Sequence, residues 1–194
     1  MRAPVVPSML NQIISLLLDV AIGLVAGAAL LRLYMQYQRI PMSQRAGNPL
    51  GNFIFSLTDW LVLPLRKLVP VVGRWDISSL LAVYALELLQ VGVLWLLGMG
   101  AGPAQLPLLA VFGVLRLTLS ALIGLVIVYA VLSWTQAHSP LTDLLDRLCA
   151  PLLRPIRKLL PLVGGVDLSP LALLVLAQIA AMVLGGVQHA LLQR

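Results

Sequence analysis

The stretch Pro64–Ser78 (PLRKLVPVVGRWDIS) decides the fold of this chain, because it returns 91 positions later as Pro155–Ser169 (PIRKLLPLVGGVDLS). The matching Pro, Arg, Lys, Gly, Asp and Ser residues keep their spacing without a gap. An apolar stretch long enough to span a membrane follows each copy, and another lies upstream of each. The sequence therefore predicts a duplicated membrane unit in which the loop is repeated as well as the spans.

The composition is that of an integral membrane protein. Of the 194 residues, 60% are hydrophobic and 10% are charged, whereas a soluble domain carries about 25% charged residues. The pI of about 10.3 does not indicate nucleic-acid binding, because the basic residues cluster beside the apolar spans, where such residues contact anionic lipid and set topology. With one cysteine, Cys149, and two distant histidines, we expect no disulfide framework, no metal site and no cofactor.

Four stretches are apolar enough to cross a bilayer core, which takes roughly 20 residues. They run from about 10 to 33, 77 to 97, 108 to 134 and 168 to 187. A Gly- and Pro-containing linker, 98–107, separates a first repeat, 1–97, from a second, 108–194. We therefore predict an all-α membrane protein with four transmembrane helices in two parallel tandem repeats, each with an interfacial amphipathic helix.

The first span has a second interpretation, as a secretory signal. Arg2, the apolar run and the small residues Ala26–Ala28 loosely resemble a signal peptide with a cleavage site. The apolar run continues past those residues to Leu33, and the duplication requires a partner for the third span. We expect this helix to be retained.

Lys and Arg residues are concentrated in the two repeated loops, while the stretch 98–115 carries no charge. Arg32 lies at the edge of the first loop, and Arg147 opens the basic part of the second. By the positive-inside rule both loops face the cytoplasm and both termini lie on the opposite side. The prediction is a multi-pass protein of the bacterial inner (plasma) membrane.

Each loop begins with an amphipathic lead-in, opened by Asn48–Leu50 in the first copy and by Ser139–Leu141 in the second. The Pro-x-Arg-Lys-x-x-Pro segment follows, and its prolines predict one short turn that presents Arg and Lys side by side at the membrane surface. Two hypotheses remain open for this turn: a cationic anchor for anionic lipid, or a docking surface for a partner protein. The candidate lipid- or partner-binding residues are Arg66, Lys67, Arg154, Arg157 and Lys158.

A Gly-x-x-Asp-x-Ser segment ends each loop and suits the start of the next helix. Ser169 followed by Pro170 is typical of an N-cap and a first helical position, although either Asp could cap instead or pair with the Arg-Lys turn. This helix-capping chemistry favours a structural role over catalysis. The candidate caps are Gly73, Asp76 and Ser78 in the first copy and Gly164, Asp167 and Ser169 in the second.

Polar residues inside the apolar runs are a second group of candidates, because ionisable groups in a membrane are costly. They are Asp19, Glu87, Arg116 and Gln178. Glu87 and Gln178 match at the same offset of 91, which suggests a contact between the second and fourth spans. The simpler hypothesis is a buried hydrogen bond or an ion pair of Arg116 with Glu87 or Asp19; the other is a cation or proton site. The first span also contains a GxxxG pattern, Gly23–Gly27, which permits close helix approach.

At the repeated loop the chain resembles the YggT family, called YlmG in some lineages. The resemblance is carried by Asn48-Pro49, Pro64–Pro70 and Asp76–Ser78, and in the second half by Arg154–Pro161 and Gly164–Pro170. It implies a small bacterial inner-membrane protein of two repeats. Bacterial relatives are linked with osmotic stress tolerance and with the neighbourhood of cell-division genes, and plastid relatives with cytochrome b6 haem maturation and nucleoid organisation. The family offers no agreed catalytic residue.

We therefore expect a non-enzymatic scaffold or assembly factor for envelope homeostasis, osmotic tolerance or division, acting through the paired cationic turns. The expected partners are anionic membrane lipids and a membrane or division protein, and an oligomer is compatible with the sequence. The alternative is a small transporter or channel-like protein with a polar path through Glu87, Gln178, Asp19 and Arg116. These two hypotheses differ in whether the loops or the spans carry the function.

Overall fold

The computed structural model describes residues 9–42, 48–69, 76–99, 102–134, 139–160 and 167–192. These residues contain no strand, so the all-α prediction is confirmed. A short 3₁₀ turn, Pro103–Gln105, precedes the fourth helix. The α-helices of the described residues are α1 (Met9–Tyr37), α2 (Gly51–Leu68), α3 (Ile77–Leu96), α4 (Leu106–Trp134), α5 (Pro140–Arg157) and α6 (Ser169–Leu192).

Four of these helices, α1, α3, α4 and α6, are long and apolar enough to cross a membrane, which confirms the predicted spans. The differences lie at the ends, where α1 continues to Tyr37 and α6 to Leu192. With 29 residues, α1 is about 43 Å long at the helical rise per residue, which exceeds a hydrocarbon core of about 30 Å. One end of α1 can therefore stand outside the apolar layer and contact the loops.

The lead-in segments of both loops form helices of 18 residues each. The Ser139 side chain caps α5 by accepting a hydrogen bond of 3.2 Å from the Thr142 N–H. At α2 the Asn48 side chain accepts from the Leu50 N–H at 3.0 Å instead. On α5 one face, including Leu144 and Leu148, is buried while the charged face is exposed.

The sequence suggested that the prolines at the start of the Arg-Lys segments open new turns. In the structure they do not. Pro64 and Pro155 lie inside α2 and α5, near the ends of these helices. A proline there loses one N–H bond but keeps a helical φ, so the preceding turns carry the helix through it. Arg66 and Lys67 therefore form the last turn of α2 rather than a separate turn.

The spanning helices pack in the order α1, α3, α4, α6, with α1 also meeting α4. The loop helices lie at one end of this array, α2 against α1 and α3, and α5 against α4 and α6; we call this end the loop-helix end. Two cores result. One lies between α1 and α3, around Ala26 and Val83. The other lies at the loop-helix end and joins Met35 and Ile54 to the buried face of α5.

A pair of hydrogen bonds ties α1, in the first half of the chain, to α5, in the second. The carbonyl of Leu148 accepts from the Tyr34 hydroxyl at 2.8 Å and from the Gln38 amide at 3.2 Å. Pro151 lies one turn further along α5. Because proline has no backbone N–H, it removes one hydrogen bond from the helical turn that precedes it. The loop-helix end is therefore held together across the two halves.

Candidate functional site: the paired arginine–aspartate loops

In the first loop, Arg66 at the end of α2 forms an ion pair with Asp76 at the start of α3. Asp76 is also the N-cap of α3: its carboxylate accepts from the Ser79 N–H at 3.3 Å and from the Ser79 hydroxyl at 2.9 Å. Gln36 of α1, with its amide oriented to satisfy both neighbours, donates to Asp76 at 2.7 Å and accepts from Arg66 at 3.3 Å. Asp76 therefore joins three helices.

Ser78 reinforces the same junction, because its hydroxyl donates to the carbonyl of Val69 at 2.6 Å. Val69 is the residue that ends α2, so this bond satisfies a carbonyl that the helix end leaves free. Gly73 and its counterpart Gly164 lie outside the described residues. The loop is thus closed at its base by Arg66, Asp76 and Ser78.

The second loop repeats this chemistry at the matching positions. Arg157, in the last turn of α5, donates through Nε to Asp167 at 2.7 Å. Asp167 in turn accepts from the Ser169 N–H at 2.9 Å, where α6 begins. The third helix contributes a different residue, since Arg157 also donates to the hydroxyl of Tyr129 on α4 at 2.7 Å. We call these two arrangements the arginine–aspartate locks.

The two locks differ in burial. The Asp76 side chain is fully buried with Arg66 33% exposed, whereas Asp167 is 24% and Arg157 40% exposed. Burial alone would raise the pKa of each carboxyl, but for Asp76 the hydrogen bonds from Ser79 and Arg66 together outweigh it and hold the pKa below 3.8. Ser169 and Arg157 do the same for the pKa of Asp167. Both carboxylates stay charged at neutral pH and hold their arginines.

The remaining predicted cations are placed differently. Lys67, Arg154 and Lys158 are exposed, and none has a hydrogen bond or ion pair with another described residue. They stand at the C-terminal ends of α2 and α5, where the helix dipole favours positive charge. We call these three residues the open cations. Within each Arg-Lys pair, then, the arginine closes the loop and the lysine stays open to the surroundings.

A buried arginine that the sequence suggested only as a topology signal, Arg32, holds α2 against α1. It is 2% exposed, donates to the Thr58 hydroxyl at 2.8 Å and pairs with Asp59 at 2.6 Å. Its guanidinium also lies 5.0 Å from the centre of the Phe55 ring, within cation–π range. Arg32 and Thr58 lie 26 positions apart, and no sequence pattern links them, so this contact could not be predicted from the sequence.

The structure brings Glu87 within electrostatic reach of Arg116 and Asp19, but it does not bury the four predicted intramembrane residues together. Glu87 is 8% exposed and lies over Gly113 of α4, where an added Cβ would stand 2.1 Å from its carboxylate oxygen. Asp19 accepts a hydrogen bond from Gln90, joining α1 to α3. Gln178 and Arg116 are exposed. The hydrogen bond expected between Glu87 and Gln178 is therefore not formed among the described residues.

The described residues do not bring together three or more His, Cys, Asp or Glu side chains that could hold a metal ion. Cys149 is fully buried, and burial followed by the nearby Asp146 raises the pKa of its thiol to about 12. A thiol with so high a pKa is protonated at neutral pH and is a poor nucleophile. The chemistry that the site offers is ion pairing and display of cations.

Comparison with known proteins agrees with this architecture. The model of the CCB3/YggT family matches residues 9–97 and 108–188. YggT of Escherichia coli (strain K12) is 35% identical over 173 residues, covering 87% of each chain. A Vibrio alginolyticus protein encoded in the proC 3′ region is 31% identical over 182 residues, covering 92% of this chain and 94% of that one. No solved structure matches significantly. The chain belongs to the CCB3/YggT family.

Proposed function

We propose that this protein is a non-enzymatic membrane scaffold or assembly factor whose loop-helix end holds anionic lipid or a partner protein. The role fits envelope homeostasis, osmotic stress tolerance or cell division in the bacterial inner membrane. The observation that carries the proposal is that in each Arg-Lys pair the arginine is held in an ion pair and the lysine is not. Because Asp76 and Asp167 already hold the arginines, the open cations are the groups left to contact something else.

The position of these cations supports a ligand at the membrane surface. Lys67 lies at the end of α2, and Arg154 and Lys158 lie on the last turn and cap of α5. The locks fix both helix ends against the starts of α3 and α6, so these charges are presented on a rigid frame. A fixed set of cations binds an anionic surface with less loss of side-chain and loop freedom than a mobile loop would.

We infer that the loop-helix end faces the cytoplasm. The sequence concentrates Lys and Arg in the two loops and leaves the linker between α3 and α4 uncharged, as the positive-inside rule requires of cytoplasmic and external segments. Anionic lipids of the cytoplasmic leaflet attract juxtamembrane cations, each worth about 1 kcal/mol. A membrane-impermeant thiol reagent applied to Lys67→Cys in intact cells tests this: labelling from outside would contradict it.

The binding experiment compares two variants of the full chain, purified in mild detergent and titrated with short-chain phosphatidylglycerol. The first replaces Lys67, Arg154 and Lys158 by glutamine. The matched control keeps every charge, with Lys67→Arg, Arg154→Lys and Lys158→Arg. Since three cations contribute about 3 kcal/mol, we expect the glutamine variant to lose on the order of 100-fold in affinity. The control should bind like the native chain.

The partner protein is tested by crosslinking from Lys67 and Lys158 in cells and identifying the attached protein by mass spectrometry. A scaffold predicts a defined protein that disappears in Arg154→Gln and depends on the open cations. If phosphatidylglycerol affinity is unchanged in the glutamine variant and the proteins crosslinked from Lys67 and Lys158 are unchanged in Arg154→Gln, the scaffold proposal is wrong. Phosphatidylcholine serves as the uncharged lipid control in the titration.

The transporter alternative has less support. Glu87 is within electrostatic reach of Asp19 and Arg116, but it is buried against α4 while Gln178 and Arg116 are exposed. The contacts of Glu87 and Asp19 are helix-packing contacts. Ion flux measured in proteoliposomes with Glu87→Gln distinguishes the two functions. An altered flux would favour transport, and an unaltered flux would contradict the transport hypothesis.

A further inference from the structure

Two faces of the repeat that correspond in sequence are buried to different extents. On α3, Val83, Leu86 and Glu87 are 0%, 7% and 8% exposed. The residues 91 positions later on α6 are Leu174, which is half-buried, Ala177, which is buried, and Gln178, which is exposed. The same face is therefore covered in the first half and partly open in the second.

Val83 and Leu86 are covered mainly by α1 of the same repeat, whereas Glu87 is covered by α4, the first helix of the following repeat. Glu87 occupies the space above Gly113, where any side chain on α4 would collide with its carboxylate. Among the described residues α6 packs on α4 and α5, and no comparable packing of α6 on α1 is present. Gln178 is thus a polar side chain at the depth of Glu87, facing outward from a helix that composition places in the membrane, where an unsatisfied amide is costly.

We propose that a second copy of this chain covers this face, with α1 of one copy packing on α6 of the next as α4 packs on α3 within the chain. The repeat supports α1 as the occupant, because α1 and α4 are the first helices of their halves and both have 29 residues. The contact continues an interface that the chain already contains, and it buries Gln178.

The surface of α1 fits this role. Asp19, Gly23 and Gly27 follow one another at a spacing of four, which places them on one helix face. Asp19 is exposed, and both glycines have open space where a side chain would stand. Asp19 and Arg116 are each the eleventh residue of their helix. Gln178 donating to Asp19 would thus correspond to the electrostatic contact of Glu87 with Arg116, and the open space at Gly23 would let the two helices approach each other.

The Asp19 carboxylate has room for this second bond. It already accepts from Gln90 through Oδ1, and a carboxylate has about four acceptor positions. The orientation also agrees, since α3 and α4 are successive spans that run in opposite directions, as α6 and α1 do. All copies would then have the same orientation in the membrane. An interface between two different faces is head-to-tail and builds rings or rows rather than closed two-fold dimers.

Disulfide crosslinking in native membranes tests the proposal. One tagged copy carries Leu16→Cys and a differently tagged copy carries Met182→Cys; these side chains are 62% and 74% exposed and lie about one turn from Asp19 and Gln178. Cys149 stays in place, because it is buried and a buried thiol of high pKa reacts slowly. The native chain, with Cys149 alone, is the background control.

We expect mild oxidation to give a product that carries both tags. Gln178→Leu should lower its yield about fivefold, the effect of losing one hydrogen bond between membrane helices. Ile179→Leu, on a neighbouring face of α6, should leave the yield unchanged. Photobleaching step counts on the labelled native chain in membranes should show more than one copy per complex.

Two results would overturn the proposal. Equal crosslinking of Leu16→Cys with itself would assign the α1 face to a symmetric pair. A single photobleaching step, with crosslinking no higher than in the native chain, would mean that lipid covers α6. Failure of self-association leaves the scaffold proposal intact, because phosphatidylglycerol binding by the open cations is measured separately.

Discussion

Replacing Asp76 by asparagine should destabilise the protein far more than the matching change at Asp167. Asparagine is as good an N-cap as aspartate and has nearly the same shape, so the bond to the Ser79 N–H can persist. What is lost is the charge that holds Arg66. The two positions are therefore a matched pair in which the same substitution removes the same kind of ion pair at different depths.

The burial of each lock sets the magnitude. Asp76 is fully buried and Arg66 is 33% exposed; breaking a buried pair costs about 3–5 kcal/mol, and the partial exposure of Arg66 places the expected loss near the lower end, at about 3 kcal/mol. In the second lock both partners are partly exposed, and Arg157 keeps the Tyr129 hydroxyl. The expected loss for Asp167→Asn is about 1 kcal/mol, as for an exposed pair.

The assay is reversible unfolding by SDS in dodecyl-maltoside micelles, followed by the fluorescence of the four tryptophans and by helical circular dichroism. Asp143→Asn, at an exposed site on α5, is the control and should change the free energy of unfolding by no more than about 0.5 kcal/mol. The reasoning fails if Asp167→Asn costs as much as Asp76→Asn. It also fails if a double-mutant cycle of Asp76→Asn with Arg66→Met gives no coupling.

The same carboxylates should make stability depend on pH. The pKa values of Asp76 and Asp167 in the folded chain lie below 3.8. Their contribution to stability is therefore complete well above that pH and is lost as the pH falls through the lowered values. SDS titrations between pH 7 and 3 should show this loss below pH 3.8, and an unchanged acid slope in the double Asn variant would contradict it. Gly113→Ala should cost about 1 kcal/mol, the lower end for overpacking, because the atoms it meets belong to the flexible end of the Glu87 side chain, which can move aside. Adding Glu87→Ala should recover most of that loss in the same titration, and no recovery would place the strain elsewhere.

The spans were predictable because each depends on about 20 consecutive apolar residues, a signal that no single contact can reverse. The path of the chain through Pro64 was not, because a proline can open a helix or sit inside its last turn, and the preceding turns of α2 decide between these. Nor could the sequence separate Arg66 from Lys67. That distinction depends on Asp76 lying within reach of one side chain, which only the packing of α2 on α3 determines.

Glu87 and Gln178, the polar residues at matching positions in the spans, also show what the sequence could not predict. Glu87 and Gln178 have the same register and depth in the sequence, yet one is covered and the other is exposed. The difference arises because Gly113 of α4 lies against Glu87, whereas no described helix covers Gln178 in this way. The two positions share their register in the repeat, so that register alone could not distinguish them, and the arrangement of neighbouring helices does.

The hydrogen bond from Tyr34 to the carbonyl of Leu148 spans 114 positions of the chain, and this separation has a consequence for biogenesis. At about 5–20 residues per second, a ribosome needs on the order of ten seconds to make that length. During this interval α1 is already synthesised while its acceptor does not exist. During this time the end of α1 that will be buried lacks its contacts with α5. A truncated chain that stops before α5 would keep Met35 and Tyr34 exposed, and we expect quality-control proteases to degrade it.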